Sequence, residues 1–230
     1  MSCPVVLITG QLLTDAVWQP LIDAWPGRDI ILADNRHDDS IAGFADWLLA
    51  AAPPEFDLIA HAMGGFVAFE VMRRAPGRVR RLVLIATLAS ADGPAQTARR
   101  QGYIDLVESG RFDQVVEERI PILFPEHRRS DERFLGIARQ MAADTGAETF
   151  LRQQRAIMAR ADSRPALKDI KVPTLLLRGA GDGITTDAQQ QEMLAAIPGA
   201  RLETIAGAGH LPTIEAPEIV VPMLAAFLDG

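Results

Sequence analysis

Short, mainly apolar runs recur along the chain at 5–8, 30–33, 58–60, 82–86 and 174–177, with a more polar one, Leu-Glu-Thr-Ile, at 202–205. They do not alternate with polar positions, which is the pattern of strands buried on both faces of a parallel sheet. Between them lie stretches with helical periodicity at 16–24, 40–51, 65–75, 188–197 and 217–228. Strands and helices in alternation predict an α/β fold, a mainly parallel doubly wound sheet with helices on both faces. The rhythm fails once. Residues 91–172 hold no clear core strand and read as amphipathic helices at 94–108, 112–119, 131–142 and 147–160, punctuated by Gly110, Pro121, Pro125 and Gly146. An insertion of that size after a core strand is expected to sit as a helical cap over the carboxyl ends of the sheet. The organisation expected is therefore a core of residues 1–90 and 173–230 with a cap of 91–172.

The third run leads into Ala60-His61-Ala62-Met63-Gly64-Gly65 and then a helical pattern. A strand that turns tightly into a helix, with small residues where the backbone closes on itself, has the form of a nucleophile elbow, G-x-S-x-G. The nucleophile is missing, because Ala62 holds the central position. A buried strand meeting a helix through an ordinary glycine turn would give the same local pattern. Two further turns decide between these readings. After the run at 174–177 comes Arg178-Gly179-Ala180-Gly181-Asp182-Gly183, and after the run at 202–205 comes Ala206-Gly207-Ala208-Gly209-His210-Leu211-Pro212. Both place a titratable side chain in a loop at a strand's carboxyl end, and in a parallel sheet those ends share one edge. The chain order is nucleophile position, acid, base.

Composition bounds the partners. A formal charge of −7 over 230 residues argues against nucleic acid. No stretch approaches the roughly 18 apolar residues that span a bilayer, and a core strand beginning near the first residue leaves no room for a leader, so no membrane partner and a cytoplasmic location are expected. The single Cys3 gives no disulfide or metal motif, and neither cofactor nor metal is expected.

The elbow, the acid loop, the Thr9-Gly10 turn, the Gly209-His210 turn followed by Glu215-Ala216-Pro217-Glu218, and the helical insertion together resemble the α/β-hydrolase superfamily over nearly the whole chain. Within it the layout is similar to small capped carboxylesterases, the group that includes pimeloyl-carrier-protein methyl ester esterases and related C–C bond hydrolases. The resemblance implies that His210 is the general base, that Asp182 orients it, and that Ala62 stands where a serine nucleophile belongs. Asp187 is the substitute acid. It also implies an oxyanion hole from the backbone N–H groups of Met63 and Gln11, with Leu12 open as the second donor. Thr9 stands where the family commonly has His. An aspartate nucleophile fits less well, since Met63-Gly64-Gly65 matches the elbow of esterases.

Deleting the triad hydroxyl costs on the order of a million-fold in rate, so the chain as written is expected to be nearly inert. Retention of Asp182 and His210 favours an engineered serine-to-alanine change over a natural binder. The expected partner is a small-molecule ester with a small or medium acyl group. Expected substrate contacts are Tyr103, Phe124, Phe150, Ile157 and Met158 as an apolar wall, Gln153 and Arg155 as polar groups, and Leu12 and His61 beside the two turns. Arg155 is the candidate for gripping a substrate carboxylate. Apolar residues at helical spacing also serve simply to pack a cap. Cleavage of C–C bonds on the same framework, and binding without catalysis, are the alternatives to ester hydrolysis.

Overall fold

A computed structural model describes residues 3–230. Its six strands are β1 (Val5–Ile8), β2 (Ile30–Ala33), β3 (Phe56–His61), β4 (Val79–Ile85), β5 (Thr174–Gly179) and β6 (Arg201–Ile205). They form one parallel sheet in the order β2-β1-β3-β4-β5-β6. Helices α1 (Gln19–Ala24), α2 (Ile41–Ala51), α3 (Met63–Arg74), α7 (Asp187–Ala196), α8 (Pro212–Glu215) and α9 (Pro217–Asp229) accompany the strands, while α4 (Pro94–Glu108), α5 (Phe112–Arg119) and α6 (Glu132–Met158) all lie between β4 and β5. Chain order reverses between β1 and β3, and the crevice beyond the strand ends at such a switch point is where ligands of open α/β sheets bind.

The two faces carry separate cores. Val5, Leu7, Ile59, Val83 and Leu177 point to one, with Trp18 and α9. Val6, Ile8, Leu58, Leu84 and Leu176 point to the other, with Phe44 of α2 and Val67 and Val71 of α3. Period-two alternation places successive residues of one strand on opposite faces, so a strand buried on both is apolar wherever a polar side chain finds no partner.

The sheet contains more polar residues than the apolar runs suggested. β4 begins at Val79, before Arg80 and Arg81. Arg80 donates from Nε and Nη2 to the buried Asp57 of β3 at 2.9 and 2.5 Å, and both arginines donate to the Leu228 carbonyl near the end of α9. A cationic fork that answers a buried carboxylate and a helix C-terminus is compatible with a strand interior. The long α6 breaks at Gly146, whose φ of 75° and ψ of 164° no helix accommodates, so the expected separate helices follow one another across that break.

Candidate active site

A tight turn joins β3 to α3. Ala62 has φ 50° and ψ −113°, a region an L-residue occupies only when its surroundings impose it. Its N–H donates to the Ile85 carbonyl at 2.9 Å, and its own carbonyl accepts from the Thr87 hydroxyl at 2.7 Å and the Gly65 N–H at 3.0 Å. The glycines after it are sterically required. A Cβ on Gly64 would lie 2.5 Å from the Ile8 carbonyl oxygen, and one on Gly65 would lie 2.2 Å from the Thr87 hydroxyl. Gly64→Ala is accordingly expected to destabilise the fold by about 3 kcal/mol through overpacking against backbone that cannot yield, read from the midpoint of urea unfolding.

While α2, α6 and α7 have side-chain N-caps in Ser40, Asp131 and Thr186, α3 begins at Ala62 with none. Ala62 and Met63 at this end of α3 line the crevice, and the positive end of a helix dipole favours negative charge near it.

Asp182 and His210 arrive from the ends of β5 and β6. The His210 Nδ1–H donates to the Asp182 carboxylate, with Nδ1 at 3.0 Å from Oδ2 and 3.1 Å from Oδ1. Asp182 also accepts from the Ile184 N–H at 2.8 Å, the Thr185 N–H at 3.1 Å and the Thr185 hydroxyl. Burial alone would raise this carboxyl, but the neighbouring His210, the Thr185 hydroxyl and the Ile184 N–H outweigh burial and hold it down at about 2. The substitute acid, Asp187, instead pairs with Arg178 at 3.1 Å.

A depressed carboxyl stabilises the fold above its ordinary value and loses that contribution as pH falls through the depressed one. For Asp182 the window runs from near 3.8 down to about 2. The shift corresponds to about 2 kcal/mol. The stability difference between the parent and Asp182→Asn is expected to shrink by that amount on acidification through this window, measured by chemical unfolding at each pH.

The loop carrying His210 is gripped from several sides. The buried Glu215 accepts from the Gly209 N–H at 2.9 Å and the Leu211 N–H at 3.0 Å. The His210 N–H donates to the Leu123 carbonyl at 2.7 Å, from the turn that follows α5. On the inner side the His210 carbonyl lies 2.7 Å from His61 Nε2. A carbonyl only accepts, so His61 carries its proton on Nε2. Burial, reinforced by the neighbouring His210, holds His61 down at about 3 and keeps it neutral.

Ala62, Met63, Gln11 and His210 share the lining of one cavity of about 90 Å³. The Leu12 N–H already donates to Gln153 Oε1 at 3.2 Å, whereas Gln11 lines the cavity.

Most of the expected substrate contacts lie elsewhere. Leu12 and His61 are buried behind the turns, and neither lines the cavity. Phe124 and Phe150 are fully buried, packed on Phe134 and Phe112. Tyr103 sits under the Arg119 guanidinium, outside the lining. Gln153 joins Leu12 to Asn35 as a buried connector. Arg155 is paired with Glu108 at 3.3 Å on the outer surface, where Met158 also lies. Helical spacing marks a buried stripe without saying which helix covers it, and these aromatics form the interior of the inserted segment. Ile157 does reach the cavity, together with Leu13, Phe66, Leu123 and three arginines that the sequence did not single out, Arg100, Arg119 and Arg160.

The alpha/beta hydrolase family model matches residues 5–223 of the chain. The chain belongs to that family. Its curated relatives include the pimeloyl-[acyl-carrier protein] methyl ester esterase of Serratia marcescens, 29% identical over 97% of this chain and 93% of that protein. The Aromatoleum aromaticum enzyme of the same name is 28% identical over 98% of both. Among solved structures, a thermophilic esterase from Thermogutta terrifontis, determined with malate bound, superposes at a TM-score of 0.90 with 25% identity, covering 100% of this chain and 90% of that one. The Burkholderia xenovorans enol-lactonase, at TM-score 0.88 and 22% identity over 100% of this chain and 93% of that one, shares the fold. This alpha/beta hydrolase chain has esterase-named relatives along almost its full length. Among its described residues no helix is long and apolar enough to cross a membrane.

Proposed function

We propose that this chain is the framework of a serine carboxylesterase in which Ala62 occupies the nucleophile's place, so that it binds a small or medium acyl ester without cleaving it. The observation that carries the reading is the orientation of the Asp182–His210 pair beside a strained, alanine-bearing elbow in a shared cavity. Backbone strain costs on the order of 1–3 kcal/mol, and a histidine with an acid-directed tautomer has no evident task beside a methyl group. With a hydroxyl at position 62, each has a role.

In the Ala62→Ser protein, the hydroxyl transfers its proton to His210 as its oxygen attacks the ester carbonyl. Asp182 keeps the imidazole's other proton on Nδ1 and stabilises the imidazolium. The Met63 and Gln11 N–H groups receive the oxyanion, and His210 returns the proton to the departing alcohol. Water repeats the sequence on the acyl-enzyme. Residues 91–172 act as the cap that shapes the acyl pocket over a core of 1–90 and 173–230. The cavity's apolar members, Leu13, Phe66, Leu123 and Ile157, suit an acyl chain more than a sugar or a peptide.

The test is an aryl-ester series of increasing chain length offered to the Ala62→Ser protein, with product analysis. Acid and alcohol products support the esterase. Turnover confined to diketone substrates would move the reading to C–C cleavage, and tight ester binding without turnover in both forms would leave a binder.

A further inference from the structure

Three arginines line the cavity, Arg100, Arg119 and Arg160, and among the described residues no aspartate or glutamate lines it. Two of the three share one counter-ion. Asp92 accepts from Arg100 Nε at 2.5 Å and from Arg160 Nη2 at 2.8 Å. Arg119 pairs with no carboxylate among the described residues, and its Nη2 donates to Gln11 Oε1 at 3.2 Å. Its guanidinium lies over the Tyr103 ring at 5.2 Å and the Phe150 ring at 5.9 Å. Such contacts hold a cation in place without cancelling its charge. Two buried donors beside it have no partner: its own Nε–H and the Nε2 amide of Gln11.

We propose that Arg119, with the Gln11 side-chain amide, is an anion subsite that selects esters carrying a second, free carboxylate, so that the substrate class is the monoester of a dicarboxylic acid. The inference rests on the carboxylesterase reading for the reaction, though the subsite itself depends only on binding. A carboxylate has two oxygens and about four lone pairs, enough for the arginine fork and the amide together. Burial and the nearby Arg100 lower the Arg119 guanidinium to about 10, which leaves it cationic at neutral pH. Because Gln11 also supplies the proposed oxyanion N–H, the subsite lies next to the reacting carbonyl, and a short diacid fits better than a long one.

The experiment measures binding to the protein as it stands, by calorimetry, with monomethyl glutarate against methyl pentanoate, which has a methyl group in place of the carboxylate. The acid ester is expected to bind about tenfold to a hundredfold more tightly, as for a charged hydrogen bond. Arg119→Gln is expected to remove that preference and Arg119→Lys to retain part of it. A purely structural role for Arg119 would weaken both ligands together, leave the ratio intact and overturn the proposal. Equal affinity of the two esters for the parent would overturn it as well. If Arg119→Gln does not fold, Arg119→Lys decides, because a ratio unchanged from the parent excludes a fork-specific subsite. Hydrolysis of p-nitrophenyl hemiglutarate and p-nitrophenyl pentanoate by the Ala62→Ser protein is read separately. No turnover of either, beside arginine-dependent binding, would remove the esterase and leave the subsite standing.

Discussion

The Ala62→Ser protein is expected to hydrolyse an aryl ester about 10⁴-fold faster than the chain as it stands, or more. The substitution adds one oxygen to a cavity lined by Met63, Gln11 and His210, whose Nδ1 lies 3.0 Å from Asp182 Oδ2. No repacking is called for, since the turn already holds Ala62 at φ 50°. Affinity for the intact ester should change little, because the hydroxyl acts in the transition state and contributes little to ground-state binding. Adding His210→Ala to the Ala62→Ser protein should return the rate nearly to its starting level, because hydroxyl and imidazole act as a unit. Single-turnover kinetics on protein purified free of host esterase measure both steps. A rate in the double variant close to that of Ala62→Ser alone would assign the hydrolysis to something other than this site.

Replacing Asp182 by asparagine in the Ala62→Ser background is expected to lower kcat about 10⁴-fold while leaving KM within a few-fold. The reason lies in who donates. Oδ1 of Asp182 accepts from two backbone N–H groups, at 2.8 and 3.1 Å. An asparagine would keep its oxygen there and turn its NH₂ toward His210. An amide donor facing Nδ1 drives the imidazole proton to Nε2, where it blocks the nitrogen that must accept from the hydroxyl. The signature is a rate that recovers with rising hydroxide concentration, read from the pH profile of kcat. A drop of less than tenfold would point to another orienting acid, and Asp187, occupied by Arg178, would be the first to exchange.

How much of this was legible in the sequence depended on whether the signal was local. The doubly wound sheet could be read because β1, β3 and β5 are buried on both faces and are apolar at Val5 to Ile8, Leu58 to Ala60 and Leu175 to Leu177. The elbow and the two loops could be read because glycine spacing records close backbone approaches, as the Ile8 carbonyl beneath Gly64 shows. The start of β4 was hidden, because Arg80 enters the strand only by virtue of Asp57 on its neighbour. The pocket wall was mostly illegible. Arg119 and Arg155 both lie on helices of the inserted segment, yet one lines the cavity and the other meets Glu108 at the surface. Nothing in the spacing separates them, since the docking angle of helices on the sheet decides which side faces in. The aromatics failed for the same reason, as Phe124 and Phe150 close the interior of the insertion.

The hydrogen bond from the His210 N–H to the Leu123 carbonyl ties the His210 loop to the segment after α5, and both residues line the cavity. A Cβ on Gly209 would stand 2.6 Å from that same carbonyl oxygen, so the two backbones touch with no space for an intervening side chain. The His210 loop and the segment after α5 are thus one mechanical part. On the proposed esterase reading, grafting the segment of another family member between β4 and β5 is expected to re-aim the imidazole as well, unless residues 121–125 are kept.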